Sequence, residues 1–382
     1  MNWSYRCPSC GATYAIEPGR YLCDPCSSRN APGMPLGGVL ECAFDGIAEP
    51  GSVPLPVEAE FFPPIPVGDT PLWAPARLRK ELDFPGLWLK DDTCEPSGSY
   101  KDRASYLVAA FANKHGIAEV ALASTGNAAS SMACVGAAAG LKVTVFLPKS
   151  APVAKRIQVL QYGAELREID GSYDLAFDAC LEYTDRTGVL SRNTAYNPLT
   201  IEGKKTASFE MARSLKAAGW RGRDHVFVPT GDGVIVAGVI RGFEDLLRLG
   251  EIARMPKVWA AQAEGSSAIA RALETGAFEF RPSSTLADSI SVDAPRNGIF
   301  ALDRLRRHEG SGIVVSDEEI LEAQWLASSR SGLFSEPSSA CAFAGFLKAR
   351  PSLGKDEVAV VMHTGSGLKD IKSAALAVGA KN

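Results

Sequence analysis

Long runs of like charge are missing from this chain. Its 382 residues carry 40 Lys and Arg against 44 Asp and Glu, a formal charge of −4. No basic stripe is present of the kind that nucleic-acid binding requires. The start, Met1-Asn2-Trp3-Ser4-Tyr5-Arg6-Cys7, has no apolar core of a secretory signal, so the chain reads as cytoplasmic. A membrane span is also lacking. The one long uncharged stretch, Val120 to Leu141, is built largely from Ala, Gly, Ser, Thr and Asn, which transfer poorly into lipid. A loop and a buried helix are the better reading of it. Neither GxGxxG nor a Walker loop occurs, which leaves dinucleotide and ATP binding without support. A disulfide framework is absent too: of nine cysteines, Cys42, Cys94, Cys134, Cys180 and Cys341 stand alone and read as small buried hydrophobes.

What is present points to a soluble globular protein, with 46% apolar and 22% charged residues. The length exceeds one compact core, so two or three units are expected. Residues 1–30 form a unit of their own logic. Cys7-Pro8-Ser9-Cys10 and Cys23-Asp24-Pro25-Cys26 are CxxC pairs separated by twelve residues. Each pair can present two thiolates to one tetrahedral metal while the intervening chain returns as a hairpin. Four sulfurs close such a site to substrate, which favours a structural zinc ribbon over a redox pair. Residues 31–70 are rich in Pro and Gly and read as an extended connection, with a strand near 38–44. From about Leu87 the pattern alternates. Strands are expected at 119–123, 142–148, 165–169, 225–229, 258–263 and 358–363. Helices are expected at 101–114, 127–139 (with Gly140 at its C-cap), 153–162 and 236–249. Strands alternating with helices of this length imply βαβ units, hence an α/β protein with two sheets.

Four segments carry chemistry. In Glu95-Pro96-Ser97-Gly98-Ser99-Tyr100-Lys101-Asp102-Arg103, a Pro/Ser/Gly loop runs into a helix whose first turn holds a lysine. A helix N-terminus favours anions, so it lowers the affinity of this amine for its proton and suits a nucleophile that attacks as neutral amine. Taken alone, this segment is better explained by a surface lysine beside an Asp cap. Ser124-Thr125-Gly126-Asn127 lies between strand and helix, at the sheet edge where α/β folds bind ligands, although an ordinary Asn cap would look the same. Pro229-Thr230-Gly231-Asp232-Gly233-Val234 is another strand–turn–helix, able to offer backbone N–H groups to a phosphate or to be a generic turn. His363-Thr364-Gly365-Ser366-Gly367-Leu368-Lys369-Asp370 places a hydroxyl on a strand end.

Together and in this order, these segments resemble the threonine synthase family of fold-type-II pyridoxal-phosphate (PLP) enzymes, related to the tryptophan synthase β subunit. The resemblance runs from Gly68-Asp69-Thr70-Pro71-Leu72 to Lys369-Asp370, and CxxC pairs occur in some members. It implies a two-domain α/β fold with parallel or mixed sheets flanked by helices. A zinc-ribbon-like segment would span 1–30, a large PLP-binding domain 31–96 and 198–382, and a small domain 97–197. PLP would sit in a cleft, in a homodimer. Lys101 is implied as the lysine that carries the cofactor as a Schiff base, and as the catalytic base. Asn127 would bond the 3′-oxygen. Gly231, Asp232, Gly233 and Val234 would hold the phosphate, and Thr364 would face the ring nitrogen. Ser97, Ser99, Ser124 and Thr125 are candidates to hold the substrate, and Lys155 and Arg156 candidates for its phosphate, although a solvated helix face explains these two as well. Cys7, Cys10, Cys23 and Cys26 are, by their spacing, the candidate ligands of a structural zinc. The implied reaction converts O-phosphohomoserine and water to threonine and phosphate.

Departures bear on the substrate. Asp232 sets a negative charge beside a dianion unless its side chain turns away, and Ser366 and Ala104 stand where many relatives have histidine and glycine. An enzyme of β-replacement or β-elimination on serine, phosphoserine or threonine is the competing expectation. A binding protein on a silent α/β fold is the third, and its marker would be loss of the lysine; Lys101 is present.

Overall fold

The computed structural model describes residues 1–379 except 47, 50, 150–152, 172 and 220–223, without the side chains of 153–155, 173 and 174. The chain divides into two units: 1–29, 37–68 and 95–204 form the first, and 30–36, 69–94 and 205–382 the second.

In the first unit, four parallel strands run in the order Glu165–Ile169, Lys142–Pro148, Glu119–Ala123, Leu190–Ser191. Their residues form a nearly continuous apolar run at 143–148, as expected where both faces of a strand are covered. The helix Asn127–Ala139 is Ala-rich, largely buried, and stops at Gly140, whose φ of +69° is the left-handed conformation a helix end uses. It packs against Lys101–Lys114, and the Ser105 and Ser131 hydroxyls meet between them at 2.7 Å. The long uncharged stretch is therefore a strand, a turn and a buried helix, and among the described residues no helix is long and apolar enough to cross a membrane.

A third sheet was not expected. Asn2–Arg6 pairs antiparallel with Thr13–Tyr14 and with Glu41–Asp45. This moves a boundary. Residues 37–68, assigned from sequence to the large domain, belong to the first unit, because the strand at 41–45 completes this sheet and Phe62 packs on Tyr106 at 4.7 Å. Residues 1–29 likewise share the core of that unit, with Tyr5, Cys7, Tyr21 and Cys23 beside Leu107, Phe111 and Leu190.

In the second unit, six strands run in the order Ser311–Val315, Lys257–Ala263, His225–Pro229, Ala359–His363, Leu87–Asp91, Leu72–Trp73. All neighbours are parallel except the last pair. From His225–Pro229 the chain proceeds outward through 257–263 and 311–315, then returns to the other side of 225–229 with 359–363. That reversal of direction is where open parallel sheets bind ligands, beyond the carboxyl ends of the strands. Phe227, Trp259, Phe343 and Phe346 fill the core beneath it.

Candidate active site

The loop before Lys101 is held by its own carboxylates. Asp102, fully buried, accepts from the Ser97 N–H at 2.6 Å and from the Ser97 hydroxyl at 2.5 Å. Glu95 accepts from the Gly68 N–H and pairs with Arg103, Nε to Oε1 3.3 Å, with neither side chain exposed. The loop therefore enters the helix Lys101–Lys114 in one fixed conformation, and Lys101 is its first residue, half-buried. The Ser97 hydroxyl, expected to hold substrate, is engaged by Asp102. The Ser99 hydroxyl lies 3.4 Å from that of Ser97 and is the freer of the two.

Ser124 turns inward. Its Oγ accepts from the N–H groups of Gly126 and Ala129, at 3.2 and 3.3 Å, and so ties the turn to the first turn of the helix Asn127–Ala139. Thr125 makes no hydrogen bond among the described residues. Asn127 begins the helix and is buried. Behind the turn, the Asn193 side chain accepts from the Ala123 N–H at 2.7 Å.

In the second unit, residues 231–234 link the strand His225–Pro229 to the helix Val234–Arg248. A Cβ on Gly231 would lie 2.8 Å from Ile290 Cα, and one on Gly233, where φ is +85°, 2.8 Å from Ala301 Cβ. Gly231, Gly233 and Val234 are buried, yet the four N–H groups of 231–234 have no acceptor among the described residues. Buried backbone donors are rarely left unpaired, so this row, at a positive helix end, calls for an anion. The Asp232 carboxylate does not oppose one: its Oδ1 accepts from the Arg296 N–H at 3.2 Å. Asn297 secures the turn from behind, donating from Nδ2 to Gly233 O at 3.1 Å and from its N–H to Asp232 O at 3.0 Å.

Thr364 stands at the end of the adjacent strand, Ala359–His363. Its N–H donates to Ser339 Oγ at 3.0 Å, and its own hydroxyl meets the same atom at 3.1 Å. Beside it, His363 is wholly buried, with Nδ1 2.9 Å from the Ser335 hydroxyl, and burial pushes its imidazole down to about 3. Ser339, and Glu336 whose N–H donates to Gly365 O at 2.9 Å, were not picked out from sequence. A signal existed: Glu-Pro-Ser occurs at 95–97 and again at 336–338. Ser366 caps the turn that follows, accepting from the Leu368 N–H.

Of the two cations proposed for a substrate phosphate, Arg156 is ion-paired with Glu168, and the Lys155 side chain lies outside the described residues. The cysteines Cys7, Cys10, Cys23 and Cys26 come together, their sulfurs all within 4.8 Å of one another.

PLP presents an aldehyde, a phosphate dianion and a ring nitrogen. Each unit, taken by itself, carries groups suited to one part of it. A lysine opens a helix in the first unit. In the second, a glycine turn without room for a Cβ offers a row of unpaired donors, and a hydroxyl stands on the neighbouring strand end. A family model for pyridoxal-phosphate dependent enzymes matches residues 65–365. The threonine synthase of Methanocaldococcus jannaschii is 32% identical over 96% of this chain and 92% of its own length, and that of Methanosarcina acetivorans matches equally. Among solved structures, a fungal L-serine ammonia-lyase from Rhizomucor miehei aligns with a TM-score of 0.71 at 20% identity, covering 82% of this chain and 98% of that one. The processed threonine deaminase isoform 2 from Solanum lycopersicum gives 0.70 at 20% identity, covering 81% and 87%. At such identity these two speak to the fold alone.

Proposed function

Because the chain belongs to the pyridoxal-phosphate-dependent enzymes and, within them, to the threonine synthase family of lyases, we propose that it converts O-phosphohomoserine and water to threonine and phosphate. The observation that carries the cofactor assignment is the row of buried, unpaired N–H groups at 231–234. In this reading they bind the cofactor phosphate, and Asp232 stays turned to Arg296. When bound, PLP supplies an electron sink that stabilises negative charge developing at the substrate's Cα.

The chain's own residues do the rest. Lys101 would hold the cofactor's aldehyde carbon, and its ε-amine, when free, would take the substrate's Cα proton and carry the further protons exchanged as phosphate leaves Cγ and water adds at Cβ. Thr125 and Ser99 bind the substrate carboxylate with groups not engaged elsewhere by strong bonds, while Ser97 and Ser124 hold the two loops in shape. Asn127 would bond the 3′-oxygen. Thr364 would face the ring nitrogen with a neutral hydroxyl, which cannot hold that nitrogen protonated as a carboxylate would, so the ring would be a weaker sink and elimination at Cβ or Cγ would compete well.

One observation favours a second reading, β-replacement or β-elimination on serine, phosphoserine or threonine. The Arg156 guanidinium is engaged by Glu168, so a second phosphate would have to displace that carboxylate. The test is a substrate panel on purified, PLP-loaded protein, read by product mass. Threonine and phosphate from O-phosphohomoserine support the first reading; turnover of phosphoserine or serine with O-phosphohomoserine untouched refutes it. Loss of the visible cofactor band in Lys101→Ala tests the attachment, and a wild-type chain that cannot be reconstituted with PLP would sink both readings.

A further inference from the structure

Two of the four N-terminal thiols are built into a domain core, while Cys10 is exposed. Cys7 and Cys23 are fully buried among the apolar residues of the first unit. Two hydrogen bonds shape the first knuckle, Cys7 N–H to Ala12 O and Gly11 N–H to Cys7 O, each 2.8 Å. In the second, the Ser27 N–H reaches Cys23 O at 2.9 Å. The returning chain presses against this knuckle: a Cβ on Gly38 would lie 2.8 Å from Cys23 O, and φ there is +76°. The sulfurs stand 3.8 Å apart at Cys7–Cys26 and 3.5 Å at Cys10–Cys23. A disulfide would need about 2.0 Å. A tetrahedron with metal–sulfur bonds of about 2.3 Å has edges of about 3.8 Å.

Between these knuckles the chain carries Tyr21, two residues before Cys23. Its hydroxyl accepts from the Ser191 N–H at 2.8 Å, and its ring packs on Tyr196 at 4.8 Å. Ser191 lies on the edge strand of the parallel sheet, so this N–H would otherwise face no strand. The edge strand in turn holds the strand leading to Ser124. Ala121 pairs with Ser191, the Arg192 N–H donates to Ala121 O at 2.8 Å, and Asn193 takes the Ala123 N–H.

We propose that a zinc ion held by Cys7, Cys10, Cys23 and Cys26 fixes Tyr21 against the edge strand and thereby braces the Ser124–Asn127 turn. Tyr21 is then a positioning residue, acting through Ser191, Asn193 and Ala123. The part concerning the cofactor rests on the assignment of that turn to PLP; the metal and the brace do not.

The experiment uses the full-length protein, with metal content by mass spectrometry and amide hydrogen exchange of peptides over 119–126, 190–194 and, as control, 225–232. About one zinc per chain is expected. Its release by a thiol-specific mercurial should raise exchange in the first two peptides by roughly tenfold or more and leave the control unchanged. Tyr21→Phe should keep its zinc yet raise exchange at Ser191, which separates the brace from a general failure of the ribbon to fold. Weakened PLP retention in this variant, read from the visible band, would extend the effect to the turn. A chain that purifies without zinc under reducing conditions overturns the proposal, as does zinc release that leaves 190–194 and 119–126 unchanged. An unreconstitutable chain would overturn the cofactor reading while leaving both of these outcomes readable.

Discussion

Asp102 and Ser97 form the contact on which the geometry of Lys101 most directly depends, and its worth can be worked out. The buried carboxylate accepts two donors from one residue, a hydroxyl at 2.5 Å and an N–H at 2.6 Å. In Asp102→Asn, the amide oxygen keeps the Ser97 N–H and the NH2 group turns to the Ser97 hydroxyl, which accepts from it. Two bonds to a charged group become neutral ones, each weaker by about half. The variant should therefore lose about 1–3 kcal/mol of stability. Ser97→Ala removes the hydroxyl alone and should cost about 1.5–3 kcal/mol. Since both changes break one network, the double variant should be less destabilised than the sum by at least about 0.5 kcal/mol. Urea unfolding of the four proteins gives the cycle, and the visible cofactor band reports whether Lys101 keeps its place. Additivity to within about 0.3 kcal/mol would refute the network. A Ser97→Ala protein of wild-type stability but raised KM at constant kcat would instead make Ser97 a substrate residue.

Other expectations follow from the second unit. The buried His363 keeps its imidazole neutral in the folded chain, near pKa 3, against about 6.5 when unfolded. Below pH 6.5 the unfolded chain takes up a proton the folded chain refuses, so stability falls with pH, by about 2 kcal/mol at pH 5, and is unaffected above pH 7.5. Urea melts of His363→Asn should lack this component between pH 5 and 7; an unchanged slope would contradict it. In Gly231→Ala, the added methyl meets Ile290 Cα at 2.8 Å, so PLP affinity should fall at least roughly tenfold, or about 1.4 kcal/mol, by equilibrium dialysis. Asp232→Asn should change PLP affinity by less than about twofold, because the carboxylate faces the Arg296 N–H. A gain of tenfold would mean that the charge faces the phosphate instead.

Much of the fold was legible because the signals were local. Strands such as Val143-Thr144-Val145-Phe146-Leu147 and helices ended by Gly140 can be read from a dozen consecutive residues. The antiparallel sheet at 2–6, 13–14 and 41–45 was not, since its strands are two to five residues long and the third joins from 27 residues away across a Pro- and Gly-rich connection. Nothing in the local pattern of 37–68 says which unit it joins. That choice is made by pairing and by the packing of Phe62 on Tyr106, both non-local.

The candidate site divides along the same line. Groups that would touch the cofactor sit on strand-to-helix turns, where a glycine, a hydroxyl and a helix end must be neighbours in sequence to be neighbours in space, so Lys101, Asn127, Gly231 and Thr364 announce themselves. The groups that aim them come from far along the chain. Asn193 holds Ala123 from 70 residues away, Asn297 holds Gly233 from 64, and Ser339 holds Thr364 from 25. The same distinction explains why Asp232 read as a liability. In sequence it is a negative charge inside a Gly-rich turn; in the fold, the Arg296 N–H, 64 residues on, holds its carboxylate and leaves the row of N–H groups open to an anion. A turn of this kind can accept an acidic residue provided a remote N–H is positioned to receive it. The Gly-Asp-Gly departure is thus compatible with PLP binding and is not by itself a mark of a different cofactor.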